Sequence, residues 1–294
     1  MRRSRGEKVY AVFNTVLLTL TALTCFFPLV NIIALSFSDA QLVAGRPILL
    51  WPAGFTLESY KHILNRPEFF TAFWVSTKRV VIGLPINMAI IILNAYPLSK
   101  NNHVFPGRTV FTWTFTISML FHGGLIPTFM IVKSTGLMDT IWALILPGAV
   151  SAYLTVLMMN FFRSIPTEME EAAMIDGASH WRILSQIYLP VSKPGIATIA
   201  LLSGVGHWNS WFDGLIYMNK VKNYPLQTYL QSIMINQEML LGIRDPEALR
   251  ALLSKNTRTL ESAQILIAMI PVMVIYPFVQ RYFIKGIIIG SVKG

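Results

Sequence analysis

The stretch EEAAMIDGASHWRILSQIYLPVSKP, residues 170–194, is polar and rich in helix-forming residues, in a chain that is otherwise strongly apolar. Thr167 and Glu170 have the spacing of a capping box, which predicts the start of a helix there, and Pro166 blocks its extension upstream. Gly177 follows an aspartate and predicts a turn, because glycine adopts the left-handed backbone conformation without steric cost. The stretch therefore begins as a short helix that ends in a turn.

A second short helix is predicted after this turn, ending at Pro190 and Pro194. Its apolar residues share one face, and they are Trp181, Leu184, Ile187 and Tyr188. Two helices of this length are stable only if that apolar face packs against the rest of the protein. The segment is thus predicted to be a helical hairpin that docks on its own chain, on a partner, or on both.

The rest of the sequence indicates an α-helical membrane protein. Hydrophobic residues make up 54% of the 294 residues, charged residues only 13%, and the mean hydropathy is +0.55. Soluble domains carry about 25% charged residues. Apolar runs of 18 or more residues recur, which is typical of membrane-spanning helices, whereas a β-barrel would show short alternating segments.

Six spans can be placed in a single transmembrane domain of residues 1–294, each with about the 20 residues that cross a bilayer. They cover roughly 10–36, 77–98, 109–132, 141–162, 195–217 and 260–283. Two long loops, 38–76 and 218–259, then lie on one side of the membrane, and the hairpin segment 163–194 lies on the other. Lysine and arginine divide equally between the two sides, so orientation depends on the basic N-terminus, which favours cytoplasmic termini.

Several kinds of chemistry have no support in the sequence. Cys25 is the one cysteine, so no disulfide and no thiolate metal site can form within the chain. His122 and His207 are isolated and are poor metal ligands, which argues against a membrane-embedded enzyme. The nucleotide-binding loop GxxxxGK[ST] does not occur, so we expect no catalytic residues, no metal and no cofactor on this chain.

The order of residues in the hairpin resembles the EAA loop of permease subunits in binding-protein-dependent ABC importers. The matching residues are Glu171, Ala172, Ala173, Asp176, Gly177, Ala178, Ile187, Leu189, Pro190 and Pro194. One departure is Leu184, where the family often has phenylalanine. The segments NAYPLSK (94–100), GGLIPTF (123–129) and GSVKG (290–294) resemble the carbohydrate branch, its maltose-type second permease, and most of all the alginate-type second permease.

This resemblance implies an all-α fold with six transmembrane helices and a cytoplasmic EAA hairpin, whose first helix is a coupling helix. It implies a heterodimer with a second permease subunit in the bacterial inner membrane, two ATPase subunits that carry ATP and Mg²⁺, and a solute-binding protein. The cargo would be an oligosaccharide, expected to be acidic, which moves by alternating access. Membrane lipid is the remaining partner, and no nucleic acid is implied.

The same resemblance assigns the residues that would couple the chain to the ATPase. Acidic residues would meet basic or backbone donors of the ATPase, alanines would keep the helix thin, and the glycine would set the bend. The set is Glu170, Glu171, Ala172, Ala173, Asp176, Gly177, Ala178, Leu189 and Pro190, with Lys293 in the tail that reaches toward the ATPase.

Polar and aromatic residues within the spans are candidates for the substrate path, because polar groups in a membrane are costly and tend to face a cavity or a partner. The candidates are His122, His207, Trp208, Asn209, Trp211, Lys78 and Arg79. Tryptophan rings can stack on sugars, and Lys78 and Arg79 can attract an anionic cargo. The other interpretations are an aromatic belt at the membrane interface and snorkelling of the two cations.

Two alternatives to an acidic-sugar importer remain. A permease of the same type could carry a neutral sugar or another solute. An ion-coupled secondary transporter would use carboxylates in mid-membrane as a relay, and the sequence suggests no Asp or Glu in mid-membrane.

Overall fold

The computed structural model describes residues 5–43, 50–121, 123–241 and 257–291, and these residues are almost entirely helical. Pairing of β type in this part of the chain is limited to a single bridge between Ser38 and Phe55. The helices are α1 (Arg5–Ser36), α2 (Ala40–Val43), α3 (Glu58–Leu64), α4 (Pro67–Ser99), α5 (Arg108–Leu120), α6 (Leu125–Ser134), α7 (Ile141–Ile145), α8 (Ala152–Arg163), α9 (Thr167–Ile175), α10 (His180–Ile183), α11 (Leu189–Val191), α12 (Lys193–Asn209), α13 (Phe212–Tyr217), α14 (Leu226–Leu241) and α15 (Thr257–Ser291).

Three of these helices have a stretch long and apolar enough to cross a membrane, and three bent helix pairs raise the number of candidate spans to six. The single helices contribute Gly6–Ser36, Pro67–Ser99 and Arg258–Pro277. The pairs are Arg108–Leu120 with Leu125–Ser134, Ile141–Gly148 with Ala152–Arg163, and His180–Val191 with Lys193–Asn209. An all-α membrane fold with up to six spans is therefore confirmed, although its helices differ in detail from the predicted ones.

The differences concern helix starts and breaks. Helix α4 begins at Pro67, ten residues before the predicted span 77–98. Lys78 and Arg79 therefore lie within this helix and not at its first residues. The predicted span 109–132 is broken, with a 111° bend between α5 and α6. Gly124 lies at the break with a φ of +89°, a conformation that glycine adopts freely.

The predicted fifth span, 195–217, is also interrupted. Helix α12 ends at Asn209, and Ser210 is extended before α13 begins at Phe212. At the other end of α12, the preceding helical segment meets it at 82°, next to Ser192. The membrane helix and the hairpin are therefore separate elements, as the prolines of the sequence suggest.

The chain divides into two compact units, and the first comprises Met1–Pro67 with Ile233–Ile270. Its helix α1 buries none of its most apolar 18-residue stretch within the chain. The threonine hydroxyls on this helix donate to carbonyl oxygens four residues back, at 2.8–2.9 Å, and belong to Thr15, Thr19, Thr21 and Thr24. The surface of α1 is thus hydrocarbon in character over this length.

The second unit comprises Glu68–Ser232 with Pro271–Gly294, and it carries both candidate sites. Its core joins α4, α8, the hairpin and α12 through fully or nearly fully buried side chains, among them Ile91, Met158, Phe162, Ile183 and Ile199. Gly195 allows close contact here, since a Cβ at this position would lie 2.6 Å from the Phe161 ring. Small residues at such contacts are typical of helices that pack in membranes.

Candidate functional site

Residues 167–191 contain two short helical arms, α9 and the arm that starts with α10, with a complete helix-ending motif at the turn between them. Helix α9 starts at Thr167, with Pro166 in the N-cap position, so the helix starts one residue earlier than it would with Thr167 as its cap. Gly177 has a φ of +76°, and its N–H donates to the Met174 carbonyl at 3.0 Å. The Ala178 N–H donates to the Ala173 carbonyl at 2.9 Å, which completes a Schellman motif.

The second arm of the hairpin contains a π-helical turn. The Ser179 hydroxyl caps α10 by accepting from the Arg182 N–H at 3.4 Å. A π turn then covers Leu184–Tyr188, and the arm continues through Leu189–Val191 despite Pro190. Leu184 and Tyr188 are buried as predicted, whereas the Trp181 side chain is 70% exposed.

The hairpin exposes five of the predicted coupling residues, four of them at or near its tip. Glu171, Ala172, Asp176 and Gly177 are exposed, as is Pro190. Ala173, Ala178 and Leu189 are half-buried and pack against the core of the second unit. Ile175 beside the turn is 87% exposed, so the tip combines carboxylates with an apolar side chain. Such a mixed, convex surface suits a cleft on a partner protein.

Glu170 differs from the other acidic residues, and the expectation that it meets the ATPase needs correction. It is 8% exposed, and its Oε2 accepts bonds from Lys100 Nζ at 2.7 Å and from the Tyr188 hydroxyl at 2.5 Å. This carboxylate is therefore bound within the chain and is not free to contact a partner. The sequence offered no signal for Lys100 and Tyr188 as its partners, because the three residues are far apart along the chain.

An apolar cleft of about 330 Å³ lies beside the hairpin, where α4 ends. Its lining residues are Leu93, Tyr96, Pro97, Lys100, Val104, Phe105, His180, Trp181 and Leu184. Trp181 and Val104 are among the exposed members of this lining. The cleft shows that the second arm of the hairpin leaves an apolar surface next to the end of a membrane helix.

Part of the predicted substrate path forms a buried polar cluster between α4 and the α12–α13 corner. The Arg79 guanidinium makes an ion pair with Asp213 through both of its terminal nitrogens. Its Nε donates to His207 Nδ1 at 3.4 Å, and the Ser210 hydroxyl donates to Asp213 at 2.9 Å. Arg79 is 4% exposed, so its charge is neutralised inside the chain.

This arrangement corrects two expectations about the substrate path. Arg79 is not available to attract an anion, because Asp213 already neutralises it. His207 is 7% exposed, and its ring lies against Gly83 of α4, so the side chain is buried between helices. Asp213 was not among the predicted residues of the substrate path, although it lies within the predicted span 195–217, only two residues after Trp211.

The remaining candidates of the substrate path have different surroundings. Trp208 is 7% exposed and packs edge-to-face against Phe73, with ring centroids 5.5 Å apart. Asn209 and Trp211 are exposed, and so is Lys78, whose Nζ lies 5.5 Å from the Trp74 ring centroid. These three residues could contact a substrate. His122 and Lys293 lie outside the described residues.

Asp139 and a neighbouring segment form a second polar contact, away from the hairpin. Its carboxylate accepts from Asn223 Nδ2 at 2.9 Å and from the Asn219 N–H at 3.1 Å. The bond from Asn223 is the main reason that the pKa of Asp139 is lowered from its usual value, with the Asn219 and Lys220 contacts adding to it. Among the residues that the structure describes, no group of three or more His, Cys, Asp or Glu side chains could hold a metal ion.

The whole chain is similar to known transport proteins. The model of a family described as "Binding-protein-dependent transport system inner membrane component" matches residues 1–289. The chain is 38% identical to the polygalacturonan/rhamnogalacturonan transport system permease protein YtcP of Bacillus subtilis, over 94% of this chain and 96% of that one. It is also 38% identical to protein LplC of the same organism, over 100% and 98% of the two chains.

A solved structure matches equally well over the length of the chain. It is described as a bacterial ABC transporter involved in the import of the acidic polysaccharide alginate. The TM-score is 0.83 at 32% sequence identity, and the match covers 96% of this chain and 99% of that chain. The similarity is therefore one of fold and sequence together, over nearly all of both chains.

Proposed function

The chain belongs to the family of binding-protein-dependent transport system inner membrane components, and from this premise we propose that it is the permease subunit of an ATP-driven importer of acidic oligosaccharides. In this proposal the chain pairs with a second permease subunit in the bacterial inner membrane. Two ATPase subunits bind ATP and Mg²⁺, and a solute-binding protein delivers the cargo. The chain itself carries out transport and no catalysis, and both of its termini are cytoplasmic.

The exposed hairpin tip is the observation that carries this proposal. Glu171 and Asp176 present carboxylates, and the Schellman motif at Gly177 fixes the angle between the two arms. A short helix held at a fixed angle can enter a cleft of the ATPase and transmit its movement. When ATP closes the ATPase dimer, the hairpin would move with it, and the membrane helices would change from inward-open to outward-open.

The acidic cargo is supported by what the relatives are named for. One relative is a polygalacturonan/rhamnogalacturonan permease, and the solved structure belongs to an importer of the acidic polysaccharide alginate. Polygalacturonan and alginate are both polymers of uronic acids, which carry one carboxylate on each sugar. The chain has a net charge of +10, and this favours the approach of anions.

The test is import by the native complex, isolated through a tag on this chain and reconstituted in vesicles with its binding protein. We expect oligomers of galacturonate or of alginate to stimulate vanadate-sensitive ATP hydrolysis and to enter the vesicles. Stimulation by neutral oligosaccharides alone would contradict the acidic cargo and leave the neutral-sugar alternative. Uptake driven by an ion gradient without ATP would contradict the importer and support a secondary transporter.

The coupling role of the hairpin is tested by Glu171→Lys in the same vesicles. Reversing this exposed charge leaves the membrane fold intact but disturbs the contact with the ATPase, so we expect assembled complexes whose ATP hydrolysis no longer drives uptake. Glu58→Lys is the control, since Glu58 is also an exposed glutamate on a helix, but on α3 and outside the hairpin. Normal uptake by the Glu171→Lys complex would show that the hairpin does not couple the two reactions.

A further inference from the structure

Lys100 lies one residue beyond the end of α4, in an enclosed and unusual environment. Its side chain is 5% exposed, and its Nζ lies 2.7 Å from Glu170 Oε2. The same nitrogen lies 4.0 Å from the ring centroid of Tyr96 and 3.9 Å from that of Tyr188. The ammonium group is therefore bound by one carboxylate and by two aromatic faces, each of which attracts a cation.

These contacts join three elements that are distant in the sequence. Tyr96 lies in the last turn of α4, and Lys100 directly follows this helix. Glu170 belongs to the first arm of the hairpin and Tyr188 to the π turn of the second arm. The Tyr188 hydroxyl donates to the same oxygen of Glu170 that accepts from Lys100. One carboxylate oxygen thus holds both arms of the hairpin to the membrane helix.

The buried charges of Lys100 and Glu170 favour one arrangement of the side chains in this cluster. Burial lowers the pKa of Lys100, while its bond to Glu170 acts in the opposite direction and favours the ammonium form. Loss of either partner would leave a buried charge without compensation, which proteins tolerate poorly. By contrast, the apolar contacts of Ala173 and Ala178 with the core have no directional preference. The ion pair is therefore the contact that best fixes the hairpin relative to α4.

Two further features reinforce the cluster. The π turn adds one residue to a helical turn, which rotates the residues after it by about 100° about the helix axis. The residues before and after the π turn therefore point to different sides of the second arm. The carbonyl of Leu98 at the end of α4 accepts from Arg108 Nε at 3.0 Å and from Arg163 Nη2 at 3.2 Å. These two bonds therefore fix the end of α4 to α5 and α8, close to the point where the hairpin contacts it.

We propose that Lys100, Glu170 and Tyr188 are positioning residues that make the hairpin and α4 a single rigid body. A displacement of the hairpin tip is then carried directly into a helix of the membrane domain. This inference rests on the proposed function, because it names the residues through which coupling to an ATPase would reach the membrane helices. It adds a role for Glu170 that differs from contact with the partner.

The test measures one distance inside the assembled complex, in a background where Cys25 is replaced by serine. Spin labels at the exposed residues Glu168 of α9 and Leu93 of α4 report whether the two elements move together. In the wild-type sequence we expect the same distance in the nucleotide-free and the vanadate-trapped states. In Lys100→Met we expect the distance to broaden and to differ between the two states.

Transport gives a second measurement that a purely structural role would not alter. Lys100→Met should raise the ATP hydrolysed per sugar imported by roughly two- to thirty-fold, the range expected for changes between two coupled sites. Tyr188→Phe retains the ring but loses the bond to Glu170, so we expect a smaller change in the same direction. The Tyr188→Phe variant also tests the inference if the complex with Lys100→Met fails to assemble. Lys193→Met is the control, since Lys193 is exposed and stands at the start of α12.

The outcomes separate this inference from the proposed function. If wild-type vesicles import sugar with ATP but the variants keep the fixed distance and the normal ATP-to-sugar ratio, the positioning role is wrong. A label distance that changes on vanadate trapping in the wild-type sequence would also overturn it. If the wild-type complex shows no ATP-dependent import, the proposed function itself fails.

Discussion

Gly83 is the residue on which the contact between α4 and α12 depends. A Cβ at this position would lie 2.8 Å from two atoms of the His207 ring. That ring is buried, and Arg79 donates to its Nδ1, so it cannot move away without breaking a polar contact. Glycine is therefore required here by the close approach of the ring, whereas at Gly177 it is required by the backbone.

We predict that Gly83→Ala destabilises the protein, although alanine normally favours a helix over glycine by about 1 kcal/mol. Gly204→Ala is the matched control, because a Cβ there meets only Leu84 Cδ2, at 3.8 Å. Thermal unfolding in detergent measures both variants. We expect a lower midpoint for Gly83→Ala and an unchanged or higher one for Gly204→Ala, and equal midpoints would contradict the close contact.

The sequence predicts individual residues well only where local chemistry decides their role. The turn at Gly177 could be predicted, because an aspartate-glycine pair has few alternatives. The internal partner of Glu170 could not, since a carboxylate in a polar helix is normally solvated. The same limit applies to Arg79 and Asp213, whose pairing depends on tertiary packing over more than 130 residues.

At the scale of elements, apolar length identifies the spans but not their breaks. The residues on both sides of Gly124 are apolar, so mean hydropathy does not reveal the bend between α5 and α6. The early start of α4 is missed for a related reason. Residues 67–76 include Glu68 and several aromatic residues, and this composition predicts a loop. In the structure the segment is helical. The location of the hairpin was predictable because its prolines and glycine are local signals.

The Arg79–Asp213 pair links α4 to the α12–α13 corner, and we predict that removing one partner is worse than removing both. Arg79→Met leaves the half-buried carboxylate of Asp213 without its cation and should lower stability, by less than the roughly 3–5 kcal/mol typical of breaking a fully buried pair. Arg79→Met combined with Asp213→Leu removes both charges and should recover much of that loss. Yield of folded protein and thermal unfolding in detergent measure the cycle. Additive losses in the double variant would indicate that the two residues act independently.

At the scale of the whole molecule, the family and the number of apolar segments agree with the sequence analysis. The orientation in the membrane does not follow from the overall charge distribution, because lysine and arginine are equally numerous on the two predicted sides. The proposed arrangement places the hairpin in the cytoplasm, where an ATPase could reach it. The two compact units give no further information on orientation, since each is apolar along its helices.

We predict that the hairpin tip can be labelled only from the cytoplasmic side. Ile175→Cys, in a background without Cys25, places a thiol at a position that is 87% exposed. A membrane-impermeant maleimide should label it in inverted vesicles and not in intact cells. Thr56→Cys, in the predicted outer loop 38–76, should show the opposite pattern. Labelling of Ile175→Cys in intact cells would reverse the proposed orientation and remove the hairpin from reach of an ATPase.

Helix α1 uses its threonine hydroxyls entirely on its own carbonyl oxygens between Ala11 and Thr24. Because these four hydroxyls are satisfied within the helix, they offer its surroundings no directional bonds. Within this stretch the packing of the helix depends on shape, whereas at its end Ser36 makes a polar contact by accepting from the Tyr60 hydroxyl at 2.9 Å. Threonine and valine should consequently be interchangeable there, so this segment tolerates sequence drift that the buried cluster around Lys100 does not.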